Sequence, residues 1–173
     1  MANPTMTLIA SNTVGSGGAS SVTFSSIPNT YTDLLIKCSG RTTYSGGVYD
    51  DCSMKFNSSA SNYNPVQIYA NGTAYSNAGF ITTSAYIGTF NTSTLTANAF
   101  NSNEIYIPNY ASSNYKSYSV DNAEESNQTG IFQNLISGLW SNTAAITSIN
   151  IYSLNSSNFV QYSSFSLYGI SNS

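Results

Sequence analysis

A chain of 173 residues is a comfortable size for one domain, able to bury a core without a metal or disulfide staple. Only 6% of its residues are charged, the net charge is −3 and aromatics reach 13%; disordered chains combine few aromatics with high net charge, so this composition describes a packed fold solvated by hydroxyls and amides. Four basic residues (Lys37, Arg41, Lys55, Lys116) exclude a nucleic-acid surface, no apolar run approaches the roughly 20 residues of a membrane span, and the absence of histidine removes His-based triads and most zinc chemistry.

The chain opens on an N-terminal arm, residues 1–5, without the basic and apolar regions of a secretion signal. Synthesis in a cytoplasm and release by another route, such as lysis, are expected. Period-two alternation then predicts strands at 6–10, with Met6 and Leu8 on one face, and at 21–25, with Val22 and Phe24 buried before the Ile27-Pro28-Asn29 turn. Between 33 and 57 two alternating runs predict an antiparallel pair matching Leu34 with Phe56, Ile36 with Met54 and Cys38 with Cys52 on the buried face. Lys37 and Lys55 then lie outside, and the Gly/Tyr-rich loop 40–51 is exposed. Further strands are predicted at 66–69, 80–90, 103–107, 115–120, 131–140, 146–154 and 159–170, the last two as a hairpin around 155–158. No helical stripe persists for three turns. About eight to ten strands without helices predict a single all-β domain over 1–173, an antiparallel two-sheet sandwich of jelly-roll type.

Seven carboxylates are available for chemistry: Asp33, Asp50, Asp51, Glu104, Asp121, Glu124 and Glu125. Glycosidase catalysis needs two converging across a cleft, whereas Asp33 opens a strand and the others cluster in loops. Asp50-Asp51 and Glu124-Glu125 could offer oxygens to calcium or stand as solvated loop charge; neither has the spaced Asp-x-Asp pattern of a dedicated loop. No enzyme activity is expected, and no catalytic, cofactor-binding or metal-ligating residue is assigned. Cys38 and Cys52, opposite each other in the predicted pair, either bridge across the strands or pack as reduced apolar side chains, the state that cytoplasmic synthesis favours. Asn-x-Ser/Thr triplets starting at Asn57, Asn71, Asn91 and Asn127 follow from the abundance of these residues.

The residues that point to binding are aromatic. Trp140 is expected as a core or subunit-interface anchor. Tyr44, Tyr49, Tyr63, Tyr75, Tyr110 and Tyr115 fall among Ser, Asn and Gly, the mixture that contact surfaces use. These seven are the candidate interface residues, toward protein or glycan alike. A charge-poor surface suits lasting contact with other protein copies or sugars, because little charge must be desolvated; compositional drift of the source genome is the plainer explanation.

Several stretches resemble a known group when taken together. They are Ser25-Ser26-Ile27-Pro28 with Tyr31-Thr32-Asp33-Leu34, Glu104 to Tyr110 (Glu-Ile-Tyr-Ile-Pro-Asn-Tyr), Gly138-Leu139-Trp140-Ser141 running on to Ile149, and Phe165-Ser166-Leu167-Tyr168-Gly169-Ile170. In this order, from about Met6 to Ile170, they resemble short virion structural proteins of tailed phages, notably of marine and cyanobacterial hosts, and also modules of tail-fibre proteins. The resemblance implies a virion location, a β-rich fold and no particular functional residue.

On that resemblance the chain is expected to be a capsid decoration (cement) protein on the exterior of the head, binding the major capsid protein and itself, as a homotrimer at local threefold positions. The N-terminal arm would dock by strand addition. The alternative is a tail-fibre or host-attachment module facing a host-surface glycan or receptor; the absence of a coiled-coil or repeat shaft before Met6 favours decoration. A depolymerase or lysin is a third reading, opposed by the missing histidine and the lack of a paired-carboxylate motif.

Overall fold

The computed structural model describes residues 5–70, 73–78, 82–126 and 132–171. Among them lie twelve β-strands and no helix: β1 Met6–Thr13, β2 Ser21–Phe24, β3 Asp33–Ser39, β4 Tyr49–Phe56, β5 Tyr63–Ala70, β6 Ala74–Ala78, β7 Ala85–Asn91, β8 Ser102–Ile107, β9 Lys116–Glu124, β10 Phe132–Trp140, β11 Ile149–Ser153 and β12 Ser164–Ile170. They form two antiparallel sheets. One has eight strands in the order β1-β12-β3-β8-β9-β10-β5-β6, the other four in the order β2-β11-β4-β7. The all-β sandwich expected from the sequence is therefore the fold of this chain.

Alternation explains the layering. Leu34, Ile36 and Cys38 of β3, Ile105 and Ile107 of β8, Tyr118 and Val120 of β9 and Phe165 and Leu167 of β12 line the inner face of the large sheet. Val22, Phe24, Cys52, Met54, Phe56, Ile149 and Ile151 answer them from the small one. Each fully buried aliphatic or phenyl side chain contributes about 1.5–3 kcal/mol. Phe56 meets Trp140 edge-on at 5.4 Å and Tyr63 at 5.9 Å, while Phe90, Phe159 and Phe165 form a second ring cluster toward the other end of β4.

Polar side chains also cross the interlayer space. Asn103 Nδ2 donates to the carbonyl of Ile87, and Asn101 Nδ2 and Asn122 Nδ2 both donate to that of Thr89. Asn122 Oδ1 accepts from Thr89 N and Oγ1 and from Asn134 Nδ2, at 3.2, 3.3 and 2.8 Å. All of these side chains are buried. They meet β7 at a bulge, where Ile87 and Gly88 oppose the single residue Cys52. Gly88 has φ +92°, and a Cβ there would lie 2.7 Å from the Asn122 amide. The bulge needs glycine on both counts.

Two expected pairings are corrected. The runs at 33–39 and 49–56 do not pair: β3 lies between β12 and β8, and β4 between β11 and β7. Their inner faces were read correctly, since all six expected residues are buried, but they meet across the sandwich. The segment between them crosses from one layer to the other, held by bridges from Arg41 to Asn91 and from Thr42 to Phe159, and both residues are buried although the loop was expected to be exposed. Likewise β11 and β12 belong to different sheets. Alternation specifies a face; with a connection this long it does not specify a neighbour. Cys38 and Cys52 are free thiols facing each other's layer, with burial pushing both well above the ordinary thiol value. Lys55 does lie on the outer face of the small sheet, its ammonium 5.3 Å from the Tyr152 ring.

Strand β6 was not anticipated. The expected run at 80–90 is confined to β7 among the described residues, residues 80, 81 and 131 lying outside them, as does most of the 1–5 arm. Asp33 opens β3 as expected and accepts from Tyr106 Oη at 2.7 Å and Asn109 N at 2.8 Å, tying that strand to the turn that ends β8.

Candidate functional site

The mismatch of eight strands against four leaves part of the large sheet without a covering layer. Strand β7 packs on β9 and β10 and reaches β5 only weakly. The inner face of the β10-β5-β6 flank therefore projects past the edge of the small sheet, and a cleft of about 240 Å³ forms in the angle.

Its floor comes from strand alternation. Gln67 and Tyr69 of β5, Asn77 of β6, and Phe132 and Asn134 of β10 point the same way. Its wall comes from Tyr49 and Asp51 of β4 and from Tyr86 and Thr89 of β7. Four rings run in contact along it: Tyr49 to Phe132 at 4.9 Å, Phe132 to Tyr69 stacked at 5.6 Å, and Tyr69 to Tyr75 stacked at 5.2 Å. Tyr49 and Tyr75 are 40% and 49% exposed, so the row is open at both ends.

The polar groups are fixed around these rings. Tyr86 Oη donates to Asp51 Oδ1 at 2.7 Å. Burial raises the Asp51 carboxyl above its ordinary range, Tyr86 partly opposes this by lowering it, and the neighbouring Asp50 adds to the rise. Asp50 itself accepts from Ser153 Oγ at 3.0 Å and Asn155 Nδ2 at 2.9 Å. Gln67 Oε1 and Asn134 Oδ1 are buried acceptors with no hydrogen-bond donor among the described residues.

Of the seven candidate interface residues, the cleft gathers Tyr49 and Tyr75. Tyr115 is 59% exposed just before β9, away from these rings, and Tyr44 is half-buried in the crossing loop. The remaining three are buried, which corrects Tyr63 and Tyr110 as contact residues and makes Trp140 a core anchor, one of its two expected roles. Tyr63 stacks on Trp140 at 6.1 Å and its hydroxyl accepts from Phe56 N, while the Tyr110 hydroxyl donates to the Pro28 carbonyl. The sequence reading missed Tyr69, Phe132, Gln67 and Asn134. A hairpin signal for the first was present in Asn71-Gly72, but a two-residue turn there would pair Tyr69 with Ala74 and put Tyr69 and Tyr75 on opposite faces, whereas the observed register pairs Tyr69 with Tyr75.

The opposite, outer face of the large sheet has a different character. Met6 and Leu8 of β1, Tyr106 of β8, Leu135 of β10, and Val66 and Ile68 of β5 are exposed on it. Lys37 and Glu104, directly opposite across β3 and β8, form an ion pair at 2.7 Å, which is the only salt bridge among the described residues. A shallow depression of about 680 Å³ lies over the β9-β10-β5-β6 end, between Ser119, Leu135, Val66, Ile68 and Ser76.

Glu124 ends β9 beside the cleft, opposite Phe132. Burial pushes its carboxyl up to about 7 from an ordinary 4.5. The folded chain thus keeps a proton that the unfolded chain has already lost, so stability falls as pH rises from about 4.5 to about 7 and the loss is complete above that. Glu124→Gln should match the parent at about pH 4 and exceed it by about 2 kcal/mol at about pH 8, read from urea midpoints.

No family model matches this chain, and no curated protein matches it. Two solved structures align weakly, a mutant VP2 protein of infectious bursal disease virus in derived T=1 particles and the Gx strain of the same virus. The identities are 13% and 15%, with TM-scores of 0.13 and 0.12. The alignments cover 94% of this chain in both cases but 37% and 36% of the viral chains, so the chain spans little more than a third of their length. Likeness at this level carries no argument.

Proposed function

We propose that this chain is a non-catalytic virion structural protein of a tailed phage: a capsid decoration (cement) protein that binds major capsid subunits and further copies of itself, as a homotrimer, on the exterior of the head. The observation that carries this reading is the outer face of the eight-stranded sheet. It presents Met6, Leu8, Tyr106, Leu135, Val66 and Ile68 to solvent on a surface whose charges around β8 and β9 are one ion pair and the exposed Asp121 beside Glu104 and Leu135. Such a face can be covered by another protein with much apolar area gained and little charge desolvated. Exposed apolar residues on one broad sheet face, repeated around a closed ring of copies, suit many weak seams that add cooperatively.

The residues behind the phage resemblance support the fold of this reading and not its location. Tyr31 to Leu34 leads into β3, Glu104 to Tyr110 spans the end of β8 and its turn, and Phe165 to Ile170 lies within β12. A tail-fibre or host-attachment role is the second reading, favoured by the aromatic cleft.

Purified particles decide between them. A molar ratio to the major capsid protein near one supports decoration, and a ratio below about one tenth moves the chain to the tail. Ile68→Arg with Leu135→Arg, both at exposed positions, should leave the isolated fold intact and abolish incorporation into heads. Incorporation at the parent level would remove the outer face from the contact.

A further inference from the structure

We propose that the cleft beside β7 binds a neutral oligosaccharide, stacked along the Tyr49–Phe132–Tyr69–Tyr75 row. This goes beyond the structural role above and does not depend on where in a particle the chain sits.

Three observations select this ligand class. The first is the row itself. Single exposed aromatics are ordinary, but four rings in mutual contact along one cleft, two of them 40% and 49% exposed, make a continuous apolar platform. Aromatic platforms with one wet edge suit ligands that are apolar on a face and polar at the rim, and a pyranose ring is such a ligand: its axial C–H groups form a flat apolar surface bordered by hydroxyls. Because Tyr69 is stacked between Phe132 and Tyr75, the ring faces left for a sugar are those at the two exposed ends of the row, on Tyr49 and Tyr75.

The second is the polar border. Asp51, Gln67, Thr89 and Asn134 line the cleft around the rings. Gln67 Oε1 and the fully buried Asn134 Oδ1 are acceptors lacking a donor among the described residues. Hydroxyls bring donors, whereas a lipid tail or an apolar peptide would leave these groups stranded beneath it. Tyr86 fixes the Asp51 carboxylate through Oδ1 and leaves Oδ2 for a ligand hydroxyl.

The third is charge. None of the four basic side chains lines the cleft: Lys37 pairs with Glu104, Arg41 donates to the carbonyls of Leu95, Thr96 and Ala99, Lys55 sits over Tyr152, and Lys116 donates to the Asn114 carbonyl. A phosphorylated, sulfated or uronic ligand would meet the Asp51 carboxyl with no cation beside it. The ligand is therefore an uncharged one.

The test is calorimetric titration of the intact chain with cello-, malto-, xylo- and galacto-tetraose and a heparin tetrasaccharide. At least one neutral tetraose should bind with Kd in the range of about 0.1–1 mM, and heparin should not. Tyr75→Ala and Phe132→Ala should each weaken that binding by about tenfold or more, while Tyr115→Ala, exposed elsewhere, leaves it unchanged. Thermal melts accompany each variant; because Tyr75 is half-exposed, its replacement reports on binding even where Phe132→Ala is poorly folded. No binding by any neutral tetraose at about 10 mM, binding indifferent to Tyr75→Ala, or equal binding of heparin would each overturn the assignment. None of these outcomes bears on particle stoichiometry, so the site and the structural role fail separately.

Discussion

Replacing Asn122 with leucine is expected to lower stability by about 3–5 kcal/mol. Leucine has the same branched shape and is the larger of the two, so the loss would not come from a void. It would come from the groups left behind: Thr89 N, Thr89 Oγ1 and Asn134 Nδ2 lose the shared acceptor, and the Thr89 carbonyl loses one of its two amide donors. All of these side chains are buried, so an orphaned polar group among them bears a large desolvation penalty. The urea midpoint should fall while the slope of the transition stays at the parent value. A loss below about 1 kcal/mol would mean that the Asn134 amide rearranges to satisfy Thr89, and that the amide bridge between the sheets is dispensable.

Trp140→Ala should cost a similar amount, about 3–5 kcal/mol, for the opposite reason. Trp140 is among the largest fully buried side chains and lies in a nest with Phe56, Tyr63 and Tyr118. Removing it empties volume that rigid neighbouring rings cannot refill. Its indole Nε1 has no hydrogen-bond acceptor among the described residues, so the residue contributes by packing alone. Trp140→Phe should accordingly recover most of the loss, leaving a deficit of about 1–2 kcal/mol by chemical denaturation. A deficit as large as that of alanine would point to a polar partner for Nε1.

These two residues also mark what the amino-acid sequence makes legible. Strand faces were readable because side chains alternate: Leu34, Ile36, Cys38, Cys52, Met54 and Phe56 all point into the core as expected. Strand partners were not, because connections such as 40–48 and 154–163 are long enough to change layers and a two-residue period says nothing about which neighbour lies alongside. Aromatic residues divide on the same principle. Tyr63 sits among asparagines and serines like Tyr49 and Tyr75, yet its strand register turns it inward against Trp140. Asn103, Asn122 and Asn134 look like surface residues in any composition-based reading; only the bulge at Gly88 gives the Asn103 and Asn122 amides a backbone to hold, and Asn134 then bonds the Thr89 and Asn122 side chains. The cleft required still more: the hairpin joining β5 to β6 and the unequal width of the two sheets, which no local pattern encodes.

The order of strands carries a consequence for how the protein comes into being. In the large sheet β12 lies between β1 and β3, and in the small sheet β11 lies between β2 and β4. Both late strands fill central slots whose flanking neighbours are made much earlier. As the polypeptide is made, β1 and β3 cannot be joined until β12 has emerged, and β2 and β4 cannot until β11 has. The keystones arrive after both of their neighbours, so each half-built layer waits with two unpaired edges, and the sheets close at the slow pace of long-range β pairing.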